Sequence, residues 1–338
     1  MSPCRLCINV TGIRSRLKQL ILPVREADAH SAPFTRITTG DFAAVVRLLL
    51  LGMVSWLVPV KWLWPISRSI GRGTALWHRS NPTAPFIGGL LAAHDVSCAA
   101  PDIHKRYQDH MREARLVTLA LNRPGRRWQP GVRWHGLDHL RLALEQGLGT
   151  ILWVSEFAHS QIITLMALHQ AGFAVHKLSR PEHGFSTSPF GIRRLNPLWT
   201  RIEGRFIAER VVILNHDAGP ALQLLRERLG ANGIVWITVG PEARRTLQVP
   251  FLRGTIRLPT GPLHLARTSR AVLLPVFTVR ASDGPYDVTI ERRLDVDSDV
   301  TYAGAARSYA AMLEPYVTAH PEQWDGWETM IVAPTDAS

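Results

Sequence analysis

Short apolar runs alternating with stretches of helical length fill the second half of this chain and restrict what it can fold into. Residues 150–154 (TILWV), 173–177, 211–214, 233–239, 271–276 and 286–290 read as strands. Residues 161–170, 219–229 and 302–317 read as helices, the middle one carrying apolar residues at Leu222, Leu224, Leu225 and Leu229. Strands and helices in this alternation predict an α/β fold, a largely parallel central sheet flanked by helices.

The segment ahead of it is of another kind. After Arg47 the chain reads LLLLGMVSWLVPVKWLW, with Lys61 as its first charge. A bilayer span needs about 20 apolar residues, and this run is shorter and interrupted by Pro59. Trp56, Trp62 and Trp64 suit a headgroup boundary, and Arg68 and Arg72 follow. Residues 42–64 therefore read as a membrane-seated helix lying in or dipping into one leaflet, with a buried core helix as the alternative. Residues 94–121 read as a polar helix, broken by Arg123, Pro124 and Gly125. The expected organisation is a poorly defined segment over 1–40, a helical membrane-associated segment over 41–125, an α/β domain over 126–330 and a tail over 331–338. No secretory signal pattern stands at the start.

Charge narrows the partners. There are 39 Lys plus Arg against 27 Asp plus Glu, a formal net charge of +12, and Lys occurs only at positions 18, 61, 105 and 177. Arg forks bind phosphate and carboxylate bidentately, so an anionic membrane surface or an acidic carrier fits; a solvated basic face is the plain alternative. Nucleic acid does not fit, because the aromatic residues lie within apolar runs instead of alternating with Arg as a stacking platform requires. Three Cys exclude a disulfide scaffold. Cys4 and Cys7 form a lone C-x-x-C without the further ligands of a zinc site, so no metal is expected. No phosphate-binding G-x-x-x-x-G-K-[ST], complete dinucleotide loop or G-x-S-x-G elbow is present. Gly147 and Gly149 precede a strand instead of following one. His104 and Asp109 have H-x4-D spacing but fall within the polar helix, where five residues apart is poor spacing for one face.

Five segments in order resemble the late acyltransferases of lipid A biosynthesis, within the lysophospholipid/glycerolipid acyltransferase superfamily. They are VRWHGLDHLRLALEQGLGTILWVSEF (132–157), VPFLRG (249–254), GPLHLARTSRAVLLPVFTVR (261–280), DGPYDVTI (283–290) and HPEQWDGW (320–327). The resemblance implies an acyltransferase at the cytoplasmic face of the inner membrane. An acyl-CoA or acyl-carrier-protein thioester would be the donor, and a lipid or small molecule the acceptor. Collapse of a thioester intermediate requires no cofactor.

The catalytic loop departs from the family's "G-H-F-G-N-W-E", an H-x4-D/E motif. In SEFAHSQ, Glu156 takes the place of the basic His and Gln161 that of the acid, while His159 comes three residues late. The family's later "D-Q" is replaced by Val239, Gly240, Pro241 and Glu242. Three readings stand. Glu156 and His159, three apart at a helix start, form a rewired pair in which Glu156 orients His159 or is itself the base. Alternatively the acceptor is an amine, which needs a weaker base than a hydroxyl. In the third, chemistry is lost and the chain binds acyl chains, lipid or a carrier without turnover. By position in the family, Arg180 lies near the substrate phosphate or carrier. Arg193 and Arg194, with Arg244, Arg245 and Arg253 around VPFLRG, complete a candidate basic site alongside Gln161.

Overall fold

The computed structural model describes residues 39–74, 100–123, 128–214, 217–239, 243, 245–297 and 299–331. The expectations for Cys4 and Cys7, for Arg244 and for the replacement of the family's "D-Q" beyond Val239 lie outside the described residues.

Strand β2 (Thr150–Val154) is buried at every residue, because helices cover the sheet on both sides of it. It sits in the middle of seven strands. The order is β1 (Val132–His135), β9 (Tyr286–Ile290), β8 (Val272–Arg280), β2, β5 (Ile234–Thr238), β3 (Val175–Ser179) and β4 (Glu209–Val212). Strands β8, β2, β5, β3 and β4 run parallel; β9 pairs antiparallel with β8, and β1 follows β9. The α/β class with a mostly parallel sheet is thus the observed one. The third strand begins two residues later than its apolar run, after the turn at Gly172 (φ 85°).

The alternation along β2 divides the core. Ile151 and Trp153 face α8 (Gly219–Gly230), α9 (Gly261–Ser269) and α10 (Tyr302–Ala319). Leu152 and Val154 face α4 (Leu137–Glu145) and α5 (Ser160–Gln170). Ile162, Ile163 and Met166 on α5 meet a further helical layer. That layer consists of α1 (Thr39–Leu57), α2 (Leu63–Thr74) and α3 (Ala100–Leu121), which contributes Leu116, Val117 and Ala120. Helix α5 is apolar on nearly all sides for this reason: it is packed between sheet and helices. Two short helices, α6 (Pro189–Arg194) and α7 (Asn196–Glu203), lead into β4. An antiparallel hairpin of β6 (Thr246–Phe251) and β7 (Gly254–Pro259), joined by β10 (Met330–Ile331), forms a second sheet.

Helix α1 is packed on one side only. Leu51 is buried, whereas Phe42, Leu49, Leu50, Met53, Trp56 and Leu57 are exposed. Its 18-residue stretch Gly40–Leu57 is long and apolar enough to cross a membrane, although at about 1.5 Å per residue it falls slightly short of a bilayer core of about 30 Å.

The glycine pair ahead of β2 has a backbone role. Gly149 has φ 73°, and a Cβ there would run into the backbone of Leu229 at the end of α8. A left-handed L-residue costs about 1–2 kcal/mol before any clash. Gly149→Ala is therefore expected to destabilise the fold by about 2 kcal/mol or more, read as a lowered urea midpoint; Gly147→Ala, where no atom of the described residues approaches a Cβ, should cost only the backbone part.

Candidate functional site

The parallel strands end at one edge of the sheet, and the turn after β2 occupies the centre of that edge. Its backbone is fixed from several directions. Ser155 N–H donates to the Val276 carbonyl at 3.1 Å, and Val239 N–H donates to Val154 at 2.9 Å. The C-terminal HPEQWDGW segment closes over the turn. Ala158 N–H donates to the Gln323 carbonyl at 2.7 Å, Asp325 N–H donates to the Glu156 carbonyl at 2.8 Å, and the Trp324 indole donates to Ser155 Oγ at 3.3 Å. Ser160 Oγ donates to the Phe157 carbonyl at 2.9 Å and opens α5.

The structure sends Glu156 and His159 to different partners. The three-residue spacing brings side chains together only when both lie on a helix. Helix α5 starts at Ser160, so Glu156 lies in the turn before it. His159 and Gln161, two apart at the helix start, point to nearly opposite sides.

On the first side, Gln161 Nε2 donates to Glu156 Oε1 at 3.3 Å, and Lys177 Nζ donates to Gln161 Oε1 at 2.8 Å. The ammonium thereby decides which end of the amide is oxygen and turns its N–H toward Glu156. Thr238 at the end of β5 lies 3.5 Å from the same amide nitrogen. Lys177 is buried and pairs with the equally buried Glu203 at 2.6 Å; His183 Nε2 approaches Glu203 at 2.9 Å. Burial alone would raise the Glu203 pKa, but Lys177 and His183 hold it far below the ordinary carboxylate range. Burial pulls the Lys177 pKa down, with Glu203 opposing. Lys177 points inward with Val175 and Ser179 on β3. A lone Lys within an apolar strand of an Arg-rich chain was the sequence signal for it; Glu203 and His183, on α7 and the loop after β3, offered none.

On the second side, His159 Nε2 lies 3.2 Å from His110 Nδ1 and 3.5 Å from Glu113 Oε2, with the Tyr286 ring at 5.3 Å. Arg280, the last residue of β8, stands 3.6 Å from Glu113 Oε1 and 4.7 Å above the Trp64 ring. Burial, reinforced by Arg280, pushes His110 down to about 3; burial and then His110 lower His159. Burial raises Glu113 to about 7 against the pull of Arg280. A cavity of about 640 Å³ adjoins this group, lined by Lys61, Trp64, Glu113, Trp128, Arg280 and Tyr286 among others. His110 and Glu113 are three apart on α3, a spacing visible in the sequence beside the His104–Asp109 pair. His104 itself bonds Gln108 and Asp109 bonds Arg112, as befits positions along one helix.

The arginines are spread out. Arg180 follows β3 directly, and its carbonyl accepts from Arg210 at 2.8 Å. Arg193 and Arg194 are exposed on the last turn of α6. Arg245 immediately precedes β6 and Arg253 lies in the two-residue turn between β6 and β7, both exposed. The strand between them spans on the order of 20 Å, so a single phosphate cannot be held by both.

Both clusters fall inside the stretch that matches known proteins. A family model described as "Bacterial lipid A biosynthesis acyltransferase" matches residues 103–327. The chain belongs to this acyltransferase family. Two curated relatives, each named phosphatidylinositol mannoside acyltransferase, come from Mycobacterium tuberculosis strains ATCC 25618/H37Rv and CDC 1551/Oshkosh. Each is 28% identical over 238 residues, covering 68% of this chain and 68% of the relative. The turn expected to hold the H-x4-D/E motif carries Glu156, a carboxylate bonded by the Gln161 amide.

The Lys177–Glu203 pair yields a stability test. Lys177→Met leaves a buried carboxylate uncompensated and is expected to cost about 3–5 kcal/mol, while Lys177→Met with Glu203→Leu recovers most of it. Because the Glu203 pKa is depressed in the fold, its contribution is complete above the unfolded value of 4.5 and fades as pH falls below it. Urea midpoints between pH 7 and 3 should drop more steeply for the native chain than for the double variant.

Proposed function

We propose that this chain transfers an acyl group from an acyl-CoA or acyl-carrier-protein thioester to a hydroxyl of a lipid acceptor at the cytoplasmic membrane face. The observation that carries this is the Lys177–Gln161–Glu156 chain in the turn after β2, which aims a neutral N–H at a carboxylate in the motif position. A histidine base needs an anion to steady the imidazolium it becomes. A carboxylate base becomes neutral on taking a proton and needs only orientation, which an amide supplies. The change from H-x4-D/E to E-x4-Q is therefore a coherent pair of changes.

In this reading the acceptor hydroxyl gives its proton to Glu156 as its oxygen attacks the thioester carbonyl carbon. The tetrahedral intermediate then collapses, the C–S bond breaks, and the thiolate leaves and takes up the proton. General-base help of this kind is worth about 10²–10⁴-fold. The curated relatives' name points to a glycosylated lipid headgroup as acceptor, and a hydroxyl is favoured over an amine on that basis. Arg180, directly after β3, is assigned to the donor's phosphates, and Arg193, Arg194 and Arg253 to the acidic surface of a carrier or membrane. Exposed Arg245 belongs with the membrane surface, being remote from Arg253. His159, 1% exposed and turned to the other side, is not the base in this reading.

Incubation of the purified chain with labelled acyl thioesters and a panel of glycolipid and amine acceptors tests the proposal. Glu156→Gln should lower kcat about 10²–10⁴-fold with little change in KM. Binding of acyl thioester without turnover by the native chain would instead establish a non-catalytic acyl-binding member.

The exposed stripe of α1 supports the membrane placement. Replacing Phe42, Leu49, Met53 and Leu57 together by Gln leaves the buried Leu51 and Leu63 untouched. It should move the protein from the membrane pellet to the supernatant with folding unchanged by circular dichroism. Continued pelleting would refute the anchoring role.

A further inference from the structure

The histidine that departs from its expected partner takes part in a second constellation. His110, Glu113 and His159 are all buried, and each offers a ligand atom within 4.8 Å of the other two. We propose that these three side chains bind a divalent transition-metal ion, with zinc the ion best suited to two imidazoles and one carboxylate.

Two of the three separations match a zinc site, and the third is within 4.8 Å. Zinc bonds of about 2.0–2.2 Å at tetrahedral angles place ligand atoms about 3.3–3.5 Å apart. The measured separations are 3.2 Å from His110 Nδ1 to His159 Nε2 and 3.5 Å from His159 Nε2 to Glu113 Oε2. The spacing of His110 and Glu113 sets two ligands on one face of α3, and the start of α5 brings the third.

The polar accounting also points to a cation. Glu113 Oε2 is buried and has no hydrogen-bond partner among the described residues, with His159 Nε2 the near neighbour at 3.5 Å. A carboxylate oxygen out of water and unpaired costs several kcal/mol, so native folds rarely leave one. The other oxygen, Oε1, faces Arg280 at 3.6 Å. The carboxylate thus has one oxygen for Arg280 and one for an ion on the imidazole side. The Arg280 backbone is pinned, its main-chain N–H donating to Gln323 Oε1 at 2.7 Å and its carbonyl accepting from Gln323 Nε2 at 2.9 Å. Outer partners of this sort hold metal ligands in place.

Three protein ligands leave a fourth position, and the cavity lined by Glu113, Arg280 and Tyr286 supplies it. The ion would clamp α3 to the start of α5, the helix whose first turn carries Gln161. This proposal does not depend on the acyl-transfer reading.

The test uses the full chain in detergent, stripped with a chelator and dialysed against Zn(II), with metal measured by mass spectrometry. One equivalent per chain is expected. Co(II) in its place should give the visible bands of a four-coordinate site without a thiolate charge-transfer band. His110→Ala, Glu113→Gln and His159→Ala should each lose the equivalent, and Cys4→Ser with Cys7→Ser should keep it. A native chain that retains no metal overturns the proposal, as does metal that persists in all three ligand variants or follows the cysteines. The Co(II) spectrum of the native chain decides the matter even where a variant fails to fold.

Discussion

The ammonium of Lys177 is the charge on which the arrangement at the sheet edge depends. It is 1% exposed and surrounded by Glu203, Gln161 and His183. Taking such a group out of water is costly, and the neighbouring carboxylate offsets that cost only while the geometry is kept. The pair ties β3 to α7, and through Gln161 it ties both to α5. The orientation of Gln161, and hence what Glu156 meets, follows from it. An amide alone can sit either way round; an amide bonded to a cation cannot.

The middle of the sheet was legible in the sequence as apolar runs, whereas the half-exposed β1 and the β6–β7 hairpin were not. TILWV is such a run, and β2 has the expected bounds. So was the closing helix at 302, whose Thr301 side chain accepts from Gly304 N–H at its start. The site was legible only in part. The resemblance pointed to the turn and to Glu156, Gln161 and His159, but not to the partners each side chain finds. Both Glu156 and His159 stand ahead of the helix that starts at Ser160, and they turn to different groups. Lys177, Glu203, His110 and Glu113 are brought in from strands and helices distant in sequence, and no local pattern carries such information.

The two sides of α5 divide the polar groups of this edge by charge. One side holds a compensated network around Lys177. The other holds two imidazoles lowered by burial and a carboxylate raised by it, beside the Arg280 guanidinium. Both sit against the same apolar helix, whose Ile162 and Ile163 pack toward α3 while Leu165 and Leu168 pack toward the sheet. That helix keeps the two sets of charges apart.

The closure of the 155–158 turn by Gln323, Trp324 and Asp325 bears on the order of events during synthesis. A ribosome extends the chain from its amino end, so α1 and β2 exist long before residue 320 does. Until residues 323–325 are in place, the turn lacks its outer wall. The corner after β2 thus takes its final shape only after a stretch more than 160 residues further along the chain has joined it.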